Sequence, residues 1–322
     1  MRPCAALALA CWLLFALLAP ARALEEAPPR TDVGTAAQAP LLASVARAAP
    51  VPHAQGRLFE LRRPDAAAPG AAPSWLFGTI HSDDPRVLRL SPVVADALAG
   101  ADTLVLEVAP DAAAMQTAAA AMRLGDNRRL ADVLAPALYW RCIAALNARG
   151  LPEVAVQDLK PWAVMTLLSM PPARTGEFLD RHLYNLAVAA ETPVLGLETT
   201  AEQLALFDAL SPVDQRALLR ATLATLDEQP RKLDELMDAY LAGDLGTLLA
   251  LSEAEVPGLA PALQARFRHA LIDARNARML RRIQALPEAG GYFIAVGALH
   301  LPGAAGLLRG LEQAGYAVRP RQ

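Results

Sequence analysis

Two apolar runs in this chain end in the same way, and that ending constrains the fold most. "SWLFGTI" (74–80) runs through Gly78 into His81, and "GYFIAVGAL" (291–299) runs through Gly297 into His300. Each run has the length and the aromatic and β-branched content of a buried strand. A third run, "DTLVLEV" (102–108), carries Glu107 near its end, and a fourth, "ETPVLGLETT" (191–200), ends on Glu198. Strands buried on both faces read as continuous apolar segments, which is the habit of parallel sheets. A carboxylate inside such a run must be paired, hydrogen-bonded or metal-bound, because an isolated buried charge costs several kcal/mol or more.

The remaining segments define the frame. "RLFELRR" (57–63) and "SWLFGTI" suggest a hairpin around "PDAAAPGAAP". "LSPVVADALAG" (90–100) reads as a short helix, with Ser91 as N-cap, Pro92 in the first helical position and Gly100 after its end. The strand, helix, strand order from 74 to 108 predicts a parallel pair, and the right-handed crossover rule puts the strand of Glu107 beside that of His81. From 111 to 283 apolar residues recur at helical spacing, with prolines such as Pro136, Pro152, Pro161 and Pro171 at the breaks. The run ending on Glu198 interrupts these helices as a short buried strand. "GYAVRPR" closes the chain as an edge strand. The fold class is therefore α/β: a central mixed, mainly parallel sheet built from both chain ends, with a large helical insertion at about 111–283.

The N-terminus is of another kind. Residues 1–23 combine Arg2, an apolar run of about 15 residues and the small-x-small end Ala21-Arg22-Ala23, which predicts a secretory signal peptide cleaved near Ala23. The run is short of the roughly 20 residues a spanning helix needs, so no membrane span is expected after cleavage. Residues 24–55 are Ala/Pro-rich with few large apolar side chains and predict a flexible spacer, with His53 solvated in it. Residues 56–322 form the folded domain. The expected location is secreted or periplasmic. Cys142, the one cysteine beyond the leader, cannot form an internal disulfide and reads as a buried small hydrophobe. Net charge is −3 with no basic run, so nucleic acid is not an expected partner. H-E-x-x-H, G-x-S-x-G, phosphate-binding and dinucleotide-binding motifs are absent.

In open α/β sheets ligands bind outside the carboxyl ends of the strands. His81, His300 and Glu107 arrive there together if their strands are neighbours. Two imidazoles and a carboxylate with an open position make a catalytic divalent-metal set. Gly78 and Gly297 would allow the sharp bend or close approach that aims each ring. Asp83 is a candidate acceptor behind His81. Glu198 is open between metal ligand, general base and arginine partner. Arg275 and Asn276, in "LIDARNARML", are candidates for that arginine or a substrate clamp. His182 and His269 read as surface or satisfied core residues. Glu107 is expected in direct contact with the metal and Glu198 behind it, so that Glu107→Gln removes the metal and relieves an uncompensated carboxylate.

"WLFGTIH", "LVLEV", "PVLGLETTAEQL", "ARNARM" and "AVGALHLPGAAGLLRGLEQAGYAV" resemble, in order, the signature segments of the TraB/GumN family, which includes the Tiki membrane proteases. The resemblance runs from about Leu58 to Val318. It implies a manganese- or cobalt-dependent metalloprotease-type hydrolase, with His81, Glu107 and His300 as metal and catalytic residues. It also implies a fold like that of ChaN-type haem-binding lipoproteins and erythromycin esterases. The expected function is an exported metal-dependent hydrolase of a peptide, amide or ester, using manganese, cobalt or zinc, with Glu107 or Glu198 as base. The alternatives are a haem- or small-molecule-binding protein on the same scaffold and, more remotely, a two-histidine, one-carboxylate iron oxygenase.

Overall fold

The computed structural model describes residues 51–63, 72–171, 175–287 and 291–322. The leader and residues 24–50 of the expected spacer lie outside them. Six strands form one sheet: β1 (Leu58–Arg62), β2 (Ser74–Thr79), β3 (Thr103–Leu106), β4 (Val194–Gly196), β5 (Tyr292–Gly297) and β6 (Ala317–Pro320). Their order is β4-β3-β5-β2-β1-β6. β4, β3, β5 and β2 pair in parallel, whereas β1 is antiparallel to both β2 and β6. The sheet is mixed, mostly parallel and built from both chain ends, so the fold is α/β.

The helices fill the connections. α1 (Pro85–Leu88) and α2 (Pro92–Ala99) lead from β2 to β3. Between β3 and β4 run α3 (Ala112–Ala121), α4 (Leu130–Val133), α5 (Pro136–Asn147), α6 (Glu153–Val156), α7 (Pro161–Ser169) and α8 (Leu179–Ala189). Between β4 and β5 run α9 (Thr200–Asp208), α10 (Pro212–Ala224), α11 (Gln229–Leu241), α12 (Leu245–Glu253), α13 (Pro261–Arg268) and α14 (Ala274–Gln284). α15 (Leu307–Gln313) joins β5 to β6. The punctuation is that of the sequence. Ser91 Oγ accepts from Val94 N at 3.4 Å to cap α2, and Pro136 and Pro161 open α5 and α7, where the missing N–H has no helical partner to lose.

Three sequence expectations are corrected. First, β3 is parallel to β2 but not beside it: β5 lies between them. β5 is buried along its whole length, and the centre is the one place where such a strand is covered on all sides. Second, β4 is not a buried strand. It pairs only with β3, and Leu195 is 45 % exposed at this edge. The apolar composition of 194–197 is used one residue later, where Leu197 turns in and is buried. Third, the last residues of the expected spacer are docked rather than solvated. Gly303 N donates to Pro52 O (2.9 Å), Gly246 N donates to Ala54 O (2.9 Å), and His53 Nε2 lies 3.1 Å from Glu312 Oε2. His182 and His269 sit beside Glu177 and Asp273, as satisfied peripheral side chains.

Insertion helices reach the carboxyl edge of the sheet. Tyr240 of α11 is buried and donates its hydroxyl to Gly78 O at 2.9 Å. Gly78 is required by packing. A Cβ there would lie 2.7 Å from Leu301 Cδ1 and 3.2 Å from Ala298 Cα, because the turn after β5 rests flush on β2. Gly78→Ala is expected to destabilise the protein by about 1–3 kcal/mol, as overpacking does. In urea titrations the penalty should shrink in a Leu301→Ala background. An equal penalty in both backgrounds would remove Leu301 as the obstacle.

Candidate functional site at the carboxyl edge of the sheet

Registry brings the motif residues to one end. Thr79 is level with Gly297 across β2 and β5, and Leu106 is level with Ala295 across β3 and β5. His81 follows Thr79 by two residues, His300 follows Gly297 by three, and Glu107 follows Leu106 directly. Three adjacent parallel strands thus deliver all three side chains to the same edge.

Glu107 is buried and fully engaged. Its Oε1 accepts the Gly297 N–H at 2.7 Å, capping β5 where the ladder stops. Its Oε2 accepts from Arg275 Nη2 and, at 3.3 Å, from Gln203 Nε2. Glu198 is its near twin. Glu198 N donates to Glu107 O at 2.7 Å, which sets the two carboxylates side by side. Glu198 Oε2 accepts from Arg275 Nε at 2.8 Å and from Gln203 Nε2 at 3.3 Å, and Glu198 Oε1 accepts from Arg278 Nε at 2.8 Å. Arg275 is 0 % exposed. Burial alone would lower its pKa, but Glu107 and Glu198 together outweigh burial and raise it, so the guanidinium stays charged.

His300 is held from both ring nitrogens. Asn276 Nδ2 donates to Ala305 O at 2.9 Å, which leaves Asn276 Oδ1 to accept from His300 Nδ1 at 2.6 Å. His300 Nε2 then presents its lone pair to Arg275 Nη1 at 3.2 Å and stands 3.5 Å from Glu107 Oε1. Burial, reinforced by the charge of Arg275, pushes the His300 pKa well down, so the ring is neutral. A π-helical turn, His269–Asp273, precedes Arg275 and Asn276 and resets the face that α14 offers the site.

His81 belongs to a second cluster. Phe178 stacks on its ring at 4.0 Å between centroids, and Asp180 Oδ2 lies 4.0 Å from Nδ1. Asp180 Oδ1 accepts from Thr79 Oγ1 at 2.9 Å. Asp83 takes a different part from the one expected. Its Oδ2 accepts the backbone N–H groups of Thr175 (2.7 Å) and Gly176 (3.3 Å), clamping the segment that delivers Phe178 and Asp180. Burial, and then the charge of Glu107, lift the Asp180 pKa to about 7, with the Thr79 hydroxyl opposing.

The set expected for a divalent metal does not fit as placed. Among the described residues no group of three His, Cys, Asp or Glu side chains is arranged to hold an ion. His300 and Glu107 face each other, but the Arg275 guanidinium touches both, and His81 faces Asp180 instead. A dication between His300 and Glu107 would meet a fixed positive charge at contact distance.

Asp180, Gln203 and Arg278 were missed by sequence reasoning. Asp180 lies in the first turn of α8, where an acidic residue is routine. Gln203 follows the Thr199–Glu202 capping box, which explains the local polarity without it. Arg278 was recoverable. Arg275, Arg278 and Arg282 stand at i, i+3 and i+7 on α14, opposite Glu198 and Glu202.

With this geometry in place, comparison identifies the chain as a member of the TraB/PrgY/gumN family, whose sequence profile it matches over residues 66–320. No curated protein and no solved structure gives a significant match.

Two predictions follow from the site's electrostatics. Neutralising Glu107 is expected to destabilise the protein, the reverse of the expectation drawn from sequence, because the carboxylate is compensated by Arg275. Glu107→Gln and Glu198→Gln should each cost on the order of 3–5 kcal/mol, as breaking buried pairs does. Glu198 should cost more, since it serves two arginines; a rise in thermal midpoint for Glu107→Gln would refute the pairing. The raised pKa of Asp180 means that the folded state keeps a proton that the unfolded chain releases above its ordinary pKa near 3.8. Its stabilising contribution is complete below pH 3.8 and is lost as pH climbs to about 7. Asp180→Asn should flatten that part of the stability–pH curve and be more stable than wild type at pH 8, by up to about 4 kcal/mol. An unchanged slope would show that Asp180 ionises normally.

Proposed function

We propose that this protein hydrolyses an acyl bond, of a peptide, amide or ester, at the carboxyl edge of the sheet. The observation that carries the reading is the pairing of His81 with Asp180 beside a neutral His300 and a charge-balanced Glu107–Arg275–Glu198 cluster. Such a pair suits proton transfer near neutral pH, since Asp180 holds its proton to about pH 7. Water would add to the substrate carbonyl while its proton passes to His81, with Asp180 behind the ring. The same proton would then go to the departing amine or alkoxide as the C–N or C–O bond breaks. Glu107 and Glu198 do not take the part of the base in this reading, because arginine, glutamine and backbone N–H groups already occupy their oxygens. Their part is to fix Arg275 and the end of β5.

The resemblance in the signature segments supports hydrolysis, and the chelator arm of the test below decides whether a metal takes part. The apolar leader supports export. Among the described residues no helix is long and apolar enough to cross a membrane. The test is a panel of fluorogenic peptides and p-nitrophenyl esters, run with the purified chain, with and without EDTA. Turnover should appear and fall about 100-fold or more in His81→Gln, with circular dichroism unchanged. No turnover on either panel, with a haem absorbance band or a retained small molecule instead, would replace the hydrolase with a binding protein.

A further inference from the structure

α9 turns one stripe inward, and Gln203 stands in it. Its buried residues are Thr200, Gln203, Leu204 and Phe207, at i, i+3, i+4 and i+7. Gln203 is the one long polar side chain of the four and is only 3 % exposed. A buried amide has two N–H donors and a carbonyl oxygen to satisfy. Both N–H groups are used: Nε2 donates to Glu107 Oε2 and to Glu198 Oε2, each at 3.3 Å.

The carboxylates fix which way the amide faces. They receive Arg275 and can only accept, so the opposite orientation would set the Gln203 oxygen against two carboxylate oxygens. Oε1 therefore points away from them. Among the described residues no group donates to it, and the oxygen is not sealed inside the protein. It is an acceptor held by a buried helix, turned outward at the carboxyl edge. Glu107 ties it to the rest of the site: Gln203 bonds one of its oxygens, and His300 Nε2 stands 3.5 Å from the other.

We infer that Gln203 is a specificity-determining residue, whose Oε1 accepts a hydrogen bond from an N–H group of the ligand, so that the site takes a peptide or other amide in preference to the matching ester. The inference rests on the hydrolytic reading of the site and narrows it. An ester has the same carbonyl and nearly the same shape, but an oxygen in place of the N–H. That oxygen would meet Gln203 Oε1 lone pair to lone pair. A site that bonds a substrate N–H rejects the analogue lacking it far more strongly than an apolar pocket rejects a missing methylene.

The test is a cycle between protein and ligand. The ligand is acetyl-tetraalanine p-nitroanilide, with analogues in which one N–H at a time is replaced by oxygen. Calorimetry measures binding, and release of the nitro chromophore measures kcat/KM. In wild type one replacement should cost about 10-fold or more relative to the others. In Gln203→Met, which keeps the length and loses the amide, that replacement should cost little. Intrinsic ester reactivity cancels when the two proteins are compared. Gln203→Asn, which withdraws the oxygen by one methylene, should behave as Gln203→Met does. A purely structural glutamine would weaken every ligand alike and leave the ratios unchanged, which would overturn the inference while the hydrolase stands. The expected ratios in binding without any turnover would keep the role of Gln203 and remove the hydrolase. Neither binding nor turnover of the parent peptide would remove both. If neither variant folds, the wild-type series decides: one sensitive linkage supports the inference, and none overturns it.

Discussion

The contact between Arg275 and the two carboxylates holds together parts of the chain that share no local sequence. Glu107 comes from the end of β3, Glu198 from beyond β4, Arg275 from α14 and His300 from the turn after β5. Desolvating these charges is tolerable only if every partner is present, because each unpaired member would remain as a buried charge. The cluster is therefore cooperative in a way that apolar packing is not. It also acts on the backbone. Glu107 ends the β5 ladder by accepting the Gly297 N–H, and that cap sets where the turn carrying His300 begins.

The long helical insertion has its place through the same charges. α14 presents Arg275, Arg278 and Arg282 along one face, and the segment after β4 answers with Glu198 and Glu202. Arg282 also donates to Leu197 O at 2.5 Å, tying the helix to the backbone just past the edge strand. The exposed end of this row, Arg282 with Glu202, contributes little, as surface pairs do. The buried end contributes specificity, since a shift of α14 by one residue would carry Arg275 off both carboxylates. From the other side Tyr240 and the flush packing at Gly78 lock β2 to the insertion and to the turn after β5. Helices that read in the sequence only as a run of amphipathic segments thus become the wall of a defined site.

What could be read from sequence follows a physical line. Strand runs were legible because a strand buried on both faces must be apolar along its length, so Glu107 and the two glycine–histidine endings stood out. Helix starts were legible through Ser91, Pro136 and Pro161, whose local chemistry is the cap itself. The sheet order was not. The crossover rule constrains handedness and direction, and it leaves open whether a later strand will enter between two earlier ones, as β5 does. Residue partners were legible only in part. Arg275 and Asn276 could be named as candidates, but whether an arginine on a basic helix turns inward depends on carboxylates some 77 or 168 positions away in the chain. Asp180 carried no signal at all, because a helix N-terminus accounts for an aspartate there equally well.

The two halves of the site differ in how firmly their protons are fixed, and this difference is what gives it a chemical direction. Around Arg275 the charges balance: two carboxylates meet two guanidinia, and His300 is kept neutral by burial and by the positive charge next to it. Asp180 has a hydroxyl and an imidazole for neighbours instead, and burial, followed by the charge of Glu107, pushes its pKa up to about 7. Its side chain also keeps 17 % of its exposure, whereas those of Arg275, Glu198 and His300 keep none. Asp180 is thus the group of the site whose pKa is brought near neutrality, while burial keeps His300 neutral and the two carboxylates keep Arg275 charged.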